Sequence, residues 1–150
     1  MNDLQKQTED YQHSYIIKWL LILAIVFTII FGSILNGYSQ TKEEVYNYCI
    51  EIGIQHPGIV LAQSRLETGN FTSSMCKVNN NLFGMKEAKQ RRTTALGTRN
   101  KHAYYSNWKQ SVYDYLLWQN KYYKGGDYYE FLLSVGYATD KEYLNKLKQF

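Results

Sequence analysis

Proline occurs once in this chain, at Pro57, while aromatic side chains are abundant: 15 Tyr, 6 Phe and 3 Trp in 150 residues. So little proline and so much ring surface exclude a disordered tail and favour a packed, helix-rich core. Cysteine is also scarce. Cys49 and Cys76 allow at most one disulfide, and two buried thiols behaving as small apolar residues are the alternative. Neither cysteine stands at metal-ligand spacing from the three histidines, so no metal and no organic cofactor is expected. Acid is missing from the middle of the chain, where Glu87 is the only carboxylate between Lys77 and Tyr113. There are no internal repeats and no low-complexity linker. The length leaves room for one domain and a short appendage, since single domains usually span roughly 100 to 200 residues.

The appendage is N-terminal. From Trp19 to Leu35 the chain carries no charge, which approaches the ~17 to 20 apolar residues that cross a bilayer core, with Tyr15, Ile16 and Ile17 extending it. Lys6 and Lys18 precede the segment and Lys42 follows it, a bias that favours the N-terminus inside and the remainder outside. Gly37 and Ser39 give a small-x-small pattern acceptable to a signal peptidase. Residues 1–39 are therefore expected to be a signal peptide or a membrane anchor with its hydrophobic core at 19–35. Residues 40–150 form the exported domain, on the outer side of the inner membrane, in the periplasm or at the cell surface. If the segment is retained, residues 16–35 hold the protein to the membrane. Beyond residue 39, basic side chains exceed acidic ones by five: 17 Lys and Arg less Lys6 and Lys18, against 13 acids less Asp3, Glu9 and Asp10. That balance suits an anionic polymer. An exported domain meets cell wall and not nucleic acid, so no nucleic-acid partner is expected.

Within the domain, Thr41-Lys42-Glu43-Glu44 has the capping-box form and predicts a helix to about Ile54. Pro57 suits the first turn of a second helix and Gly69 the residue after its end, with Ile59, Ala62 and Leu66 as its buried stripe. Glu67 projects from the last turn, off that stripe, beside Val60, Gln63 and Ser64. Periodicity fails from Lys77 to Ser106, where short stretches at Thr93 to Leu96 and His102 to Tyr105 predict a loop with a small hairpin. Ser106 or Asn107 caps a third helix through Tyr123, with Val112, Leu116 and Tyr123 on one face and Gly125-Gly126 as the stop. A short helix from Tyr128 to Val135 follows. Thr139-Asp140-Lys141-Glu142 opens a last helix carrying Tyr143, Leu144 and Leu147. The fold class is α+β, mostly helical with a small β lobe.

A carboxylic acid at the C-terminal end of a buried helix has its charged form disfavoured twice, by desolvation and by the negative end of the helix dipole. Kept protonated, it is the general acid that a glycosidic oxygen needs. Tyrosines, with apolar faces and hydrogen-bonding tips, suit sugar rings.

Four blocks then appear in order: Leu61-Ala62-Gln63-Ser64-Arg65-Leu66-Glu67-Thr68-Gly69, Asn80-Asn81-Leu82-Phe83-Gly84-Met85-Lys86, Ala103-Tyr104-Tyr105 with Ser111-Val112-Tyr113-Asp114-Tyr115, and Gly136-Tyr137-Ala138-Thr139-Asp140 with Tyr143 and Lys146. Together they resemble the glucosaminidase family, glycoside hydrolase family 73, over residues 57 to 148. The resemblance implies a lysozyme-like fold and an endo-β-N-acetylglucosaminidase that cuts peptidoglycan glycan strands after N-acetylglucosamine. Glu67 matches the family's general acid, and Tyr137 a cleft tyrosine that orients a nucleophile or steadies charge on the sugar. Gln63, Asn81, Phe83, Gly84, Tyr104 and Tyr105 become substrate-binding candidates, with only one of the two alternating tyrosines facing the cleft. Many relatives place a second carboxylate in the β lobe, for which Glu87 is the candidate here. Without one, the substrate's N-acetyl oxygen or a water held by Tyr137 is the nucleophile. The competing reading is a catalytically weak or inactive glycan-binding scaffold on the same fold.

Overall fold

The computed structural model describes residues 15–26, 40–137 and 141–150, without the side chain of Lys141. The chain divides into two compact units, Met1–Tyr38 and Ser39–Phe150. In the first, residues 15–26 are helical (α1), with exposed apolar side chains from Tyr15 to Val26. Among the described residues no helix is long and apolar enough to cross a membrane. The expected span at 19–35 lies in part outside the described residues.

The second unit is mostly helical with one two-stranded sheet. Helix α2 (Lys42–Glu51) starts at the expected capping box: the Thr41 hydroxyl accepts from the Glu44 amide at 3.1 Å, and the Thr41 amide donates to Glu44 Oε2 at 2.7 Å. It ends three residues sooner than periodicity suggests, because Gly53 takes a φ of +79° and turns the chain toward α3. Helix α3 (Pro57–Thr68) has Pro57 in its first turn and is closed by Gly69 in the left-handed region, where the Asn70 amide reaches back to the Arg65 carbonyl at 2.8 Å. Short helix α4 (Ser74–Asn79), capped by Ser73, lacks an apolar period and was not foreseen in the sequence.

Strands β1 (Gly97–Arg99) and β2 (His102–Tyr104) pair antiparallel with Thr98 opposite Ala103. Asn100 and Lys101 both have positive φ, a two-residue turn that fixes the register and puts the first strand at 97–99, not at Thr93 to Leu96. Helix α5 (Trp108–Tyr122), capped by Asn107, is central; α6 (Tyr128–Ser134) and α7 (Lys141–Leu147) follow. The cap expected at Thr139 and Asp140 lies outside the described residues.

The core gathers Val45, Cys49, Val60, Leu82, Val112, Tyr115 and Leu132. Both cysteines are buried and free, so the disulfide does not form; burial pushes the Cys49 thiol up to about 12. The inner face of α3 also differs from its apolar stripe. Val60, Gln63, Ser64 and Thr68 are fully buried, while Ile59 and Leu66 are half-buried. Local bonds make this possible: Ser64 Oγ donates to the Leu61 carbonyl and Thr68 Oγ1 to the Ser64 carbonyl. The loop from Leu82 to Leu96 is fastened to α5 by Arg91, which donates to both carboxylate oxygens of Asp114 at 2.6 and 3.1 Å; the Tyr105 hydroxyl donates to Asp114 Oδ2 at 2.9 Å. Asp114 is completely buried. Truncation by Asp114→Ala would leave the guanidinium and the phenol without their acceptor. Urea denaturation is expected to show a loss of about 3–5 kcal/mol.

Candidate active site

Glu67 stands one residue before the end of α3, so its carboxyl feels the unpaired carbonyls of that helix terminus. It is half-buried at the edge of an open cleft of about 490 Å³, a size suited to a small ligand or one or two sugar rings. Burial pushes its pKa above the ordinary carboxyl range; the Tyr143 hydroxyl, donating to Oε1 at 3.2 Å, and the nearby His102 oppose that rise. At near-neutral pH a larger share of this acid than usual keeps its proton.

The wall opposite Glu67 is the loop from Asn81 to Met85. Asn81 is fully buried and ties the loop in four directions: Oδ1 accepts from the Phe83 and Met85 amides, both at 3.2 Å, and Nδ2 donates to the Met85 and Ala103 carbonyls, both at 2.9 Å. The loop thereby brings Gly84 up against the acid, where an added Cβ would stand 3.4 Å from Glu67 Oε2. Gly84 also has a φ of +64°, where any side chain is strained. The Phe83 ring is buried against Tyr115, centroids 4.3 Å apart, while its carbonyl accepts from the Tyr137 hydroxyl at 2.8 Å. Burial, and then the Glu67 carboxylate, push the Tyr137 phenol well above its ordinary value. Tyr137 is thus neutral at any working pH and is a dipole, not a base.

Glu67, Phe83, Gly84 and Tyr137 therefore line one cleft, together with Met85, Lys86, Ala88, Arg91, Trp118 and Gly136. The other expected contacts stand elsewhere. Gln63 has no exposed surface and accepts from the Tyr115 hydroxyl at 2.6 Å behind the cleft. Asn81 is a structural tie. Tyr104 lies under the Arg99 guanidinium, 4.6 Å from its ring, and Tyr105 is buried on Asp114, so neither strand tyrosine lines the cleft. Glu87 is exposed and accepts from the Thr98 hydroxyl at 2.7 Å, outside the lining. Glu67 is the one carboxylate in the lining among the described residues. No three His, Cys, Asp or Glu side chains converge as a metal group among those residues.

Trp118 and Arg91 have no local sequence signal for a place in the cleft. The Trp118 ring is half-buried, packs edge-on to Tyr137 with centroids 5.5 Å apart, and lines the same cleft as the acid. Arg91 is neutralised by Asp114, so Lys86 is the exposed cation of the lining among the described residues. The cleft can accordingly hold a sugar ring against an aromatic wall, deliver a proton from Glu67, and attract an anionic substituent.

Residues 42–150 match the family model described as "Glucosaminidase: Mannosyl-glycoprotein endo-beta-N-acetylglucosaminidase". No curated protein and no solved structure matches the chain.

Gly84→Ala is expected to lower stability by about 1–2 kcal/mol through its left-handed backbone. Thermal melting checks this: a variant as stable as the parent contradicts the geometry of the wall.

Proposed function

The chain belongs to the glucosaminidase family of glycoside hydrolases, and on that premise we propose that it is a peptidoglycan hydrolase, cutting the β-1,4 bond after N-acetylglucosamine with Glu67 as general acid. The observation that carries the reading is the half-buried carboxyl of Glu67, raised by desolvation and facing an open cleft with an aromatic side wall. In the first step the Glu67 proton passes to the glycosidic oxygen as the C1–O bond breaks. A neutral Tyr137 is a poor base for activating water, and the one lining carboxylate among the described residues is already employed as acid. Attack at C1 is assigned in this proposal to the N-acetyl oxygen of the same sugar. Water then opens the cyclic intermediate while the Glu67 carboxylate takes the proton. Tyr137, with its hydroxyl proton held by the Phe83 carbonyl, presents its oxygen to the positive charge developing on the ring.

Residues 1–39 are proposed to export the domain to the outer face of the inner membrane. Mass spectrometry of the exported protein distinguishes the two forms: an intact Met1 marks an anchor and a new terminus near Gln40 a cleaved signal.

The single lining carboxylate among the described residues also favours a second reading, a scaffold that grips glycan without cutting it. Peptidoglycan treated with the protein, reduced with borohydride and analysed as muropeptides separates the two. New N-acetylglucosaminitol ends are expected from the wild type, with a rate loss of at least ~100-fold in Glu67→Gln; binding without release by both proteins supports the scaffold. For the chemistry, proton NMR of a soluble glycan fragment during cleavage is expected to show the β anomer first. An initial α anomer would mean direct attack by water.

A further inference from the structure

Behind the cleft, polar side chains of α3, α5 and α6 form one buried chain of hydrogen bonds with a single polarity. Gln119 Oε1 accepts from the Gln55 amide at 2.9 Å, which fixes the orientation of its side chain. Gln119 Nε2 then donates to the Tyr128 hydroxyl at 2.8 Å, and to the Gln55 carbonyl at 2.9 Å. The Tyr115 proton goes to Gln63 Oε1 at 2.6 Å, so in its 2.8 Å contact with Tyr128 the Tyr115 oxygen accepts. Every proton points from Gln119 toward Gln63.

Gln63 is one helical turn before Glu67. With Oε1 occupied by Tyr115, its Nε2 is completely buried and makes no hydrogen bond among the described residues. It is nevertheless near enough to Tyr143 to ease the ionisation of that phenol, against the burial that raises it. If that amide donates to the Tyr143 oxygen, the tyrosine keeps its own proton to give away. That proton goes to Glu67 Oε1.

We propose that Tyr143 is a positioning residue for the acid: it occupies Oε1 and so assigns the transferable proton to Oε2, the oxygen beside Gly84, and that the free amide of Gln63 joins the Gln119–Tyr128–Tyr115–Gln63 chain to it. The inference rests on the reading of Glu67 as general acid. Its physical content is that a carboxyl oxygen accepting from a phenol serves as the carbonyl end of the neutral acid. The hydroxyl end is then the one that Gly84, lacking a side chain, leaves open. Aligned donors strengthen one another, so a proton fixed at Gln119 bears on the acid through four intervening side chains.

The same bond stabilises the ionised form and opposes the desolvation that raises Glu67. His102 on β2 acts in the same sense; Tyr137 faces the carboxyl as a neutral phenol; Lys86 and Arg91 share the cleft, the latter paired with Asp114. An acid catalyst works while protonated, so activity falls as pH rises through its pKa. Removing the Tyr143 hydroxyl removes the largest of the influences that oppose burial. The basic limb must then move upward.

The test is the pH dependence of kcat for the intact chain on soluble peptidoglycan fragments. In Tyr143→Phe the basic limb is expected to rise by about half to one pH unit, the size of one neutral hydrogen bond, with kcat reduced and KM little changed. Tyr128→Phe, which cuts the chain remotely, is expected to move the limb in the same direction by less. Replacement of Tyr143 by 3-fluorotyrosine, a stronger donor of the same shape, is expected to move it downward, and decides the matter if Tyr143→Phe does not fold. Limbs that superimpose on the wild type overturn the proposal. Full activity in a Glu67→Gln control overturns instead the assignment of the acid.

Discussion

The 2.6 Å hydrogen bond from the Tyr115 hydroxyl to Gln63 joins α5 to α3 at the centre of the domain, and the cleft is assembled around it. Both residues are fully buried. The rest of Tyr115 is a packing platform: Phe83 lies against one part of its ring and Trp118 against another, with Tyr137 edge-on at 6.5 Å. Phe83 carries the loop that brings Gly84 to the acid, Trp118 and Tyr137 form the aromatic wall, and Gln63 sits one turn before Glu67. At this depth the bond satisfies the Tyr115 hydroxyl and Gln63 Oε1 together, and severing it would strand both. The positions of acid and wall are thus set by the same pair of side chains.

Opposed influences on a single carboxyl set the chemistry. Desolvation and the helix terminus favour the neutral form, while Tyr143 and His102 favour the charged one, and burial is the strongest of these. The result is an acid that holds its proton longer than a solvated glutamate and can still release it. Tyr137, in contrast, is held neutral by the same burial and contributes only the direction of its dipole.

What the sequence disclosed and what it concealed follow from one distinction. Glu67, Phe83, Gly84 and Tyr137 belong to local blocks, and the helix boundaries around them are written in residues with a specific backbone role: Thr41 and Glu44 as a capping box, Pro57 in a first turn, Gly69 in a left-handed cap. Such signals act over a few residues and are visible in order along the chain. Apolar periodicity did less well on α3, since it counts Gln63, Ser64 and Thr68 as surface whereas hydrogen bonds let all three enter the core. Gln63 and Asn81, expected to meet substrate, are internal ties for the same reason. Trp118, Arg91 and the path from Gln119 to Tyr143 depend on α5, α6 and α7 meeting α3 in space, and nothing within a short stretch of chain announces that. The two-residue turn at Asn100 and Lys101 sets the hairpin register, and the Thr98 hydroxyl donates to Glu87, which stands exposed outside the cleft lining.

The central claim is that Glu67 is an acid whose neutral form the fold protects. Its most direct measurement is a titration of the Glu67 carboxyl carbon by 13C NMR in the intact protein, assigned by comparison with Glu67→Gln. The account predicts a midpoint above that of a solvent-exposed glutamate in the same spectrum; a midpoint at or below that value would contradict it.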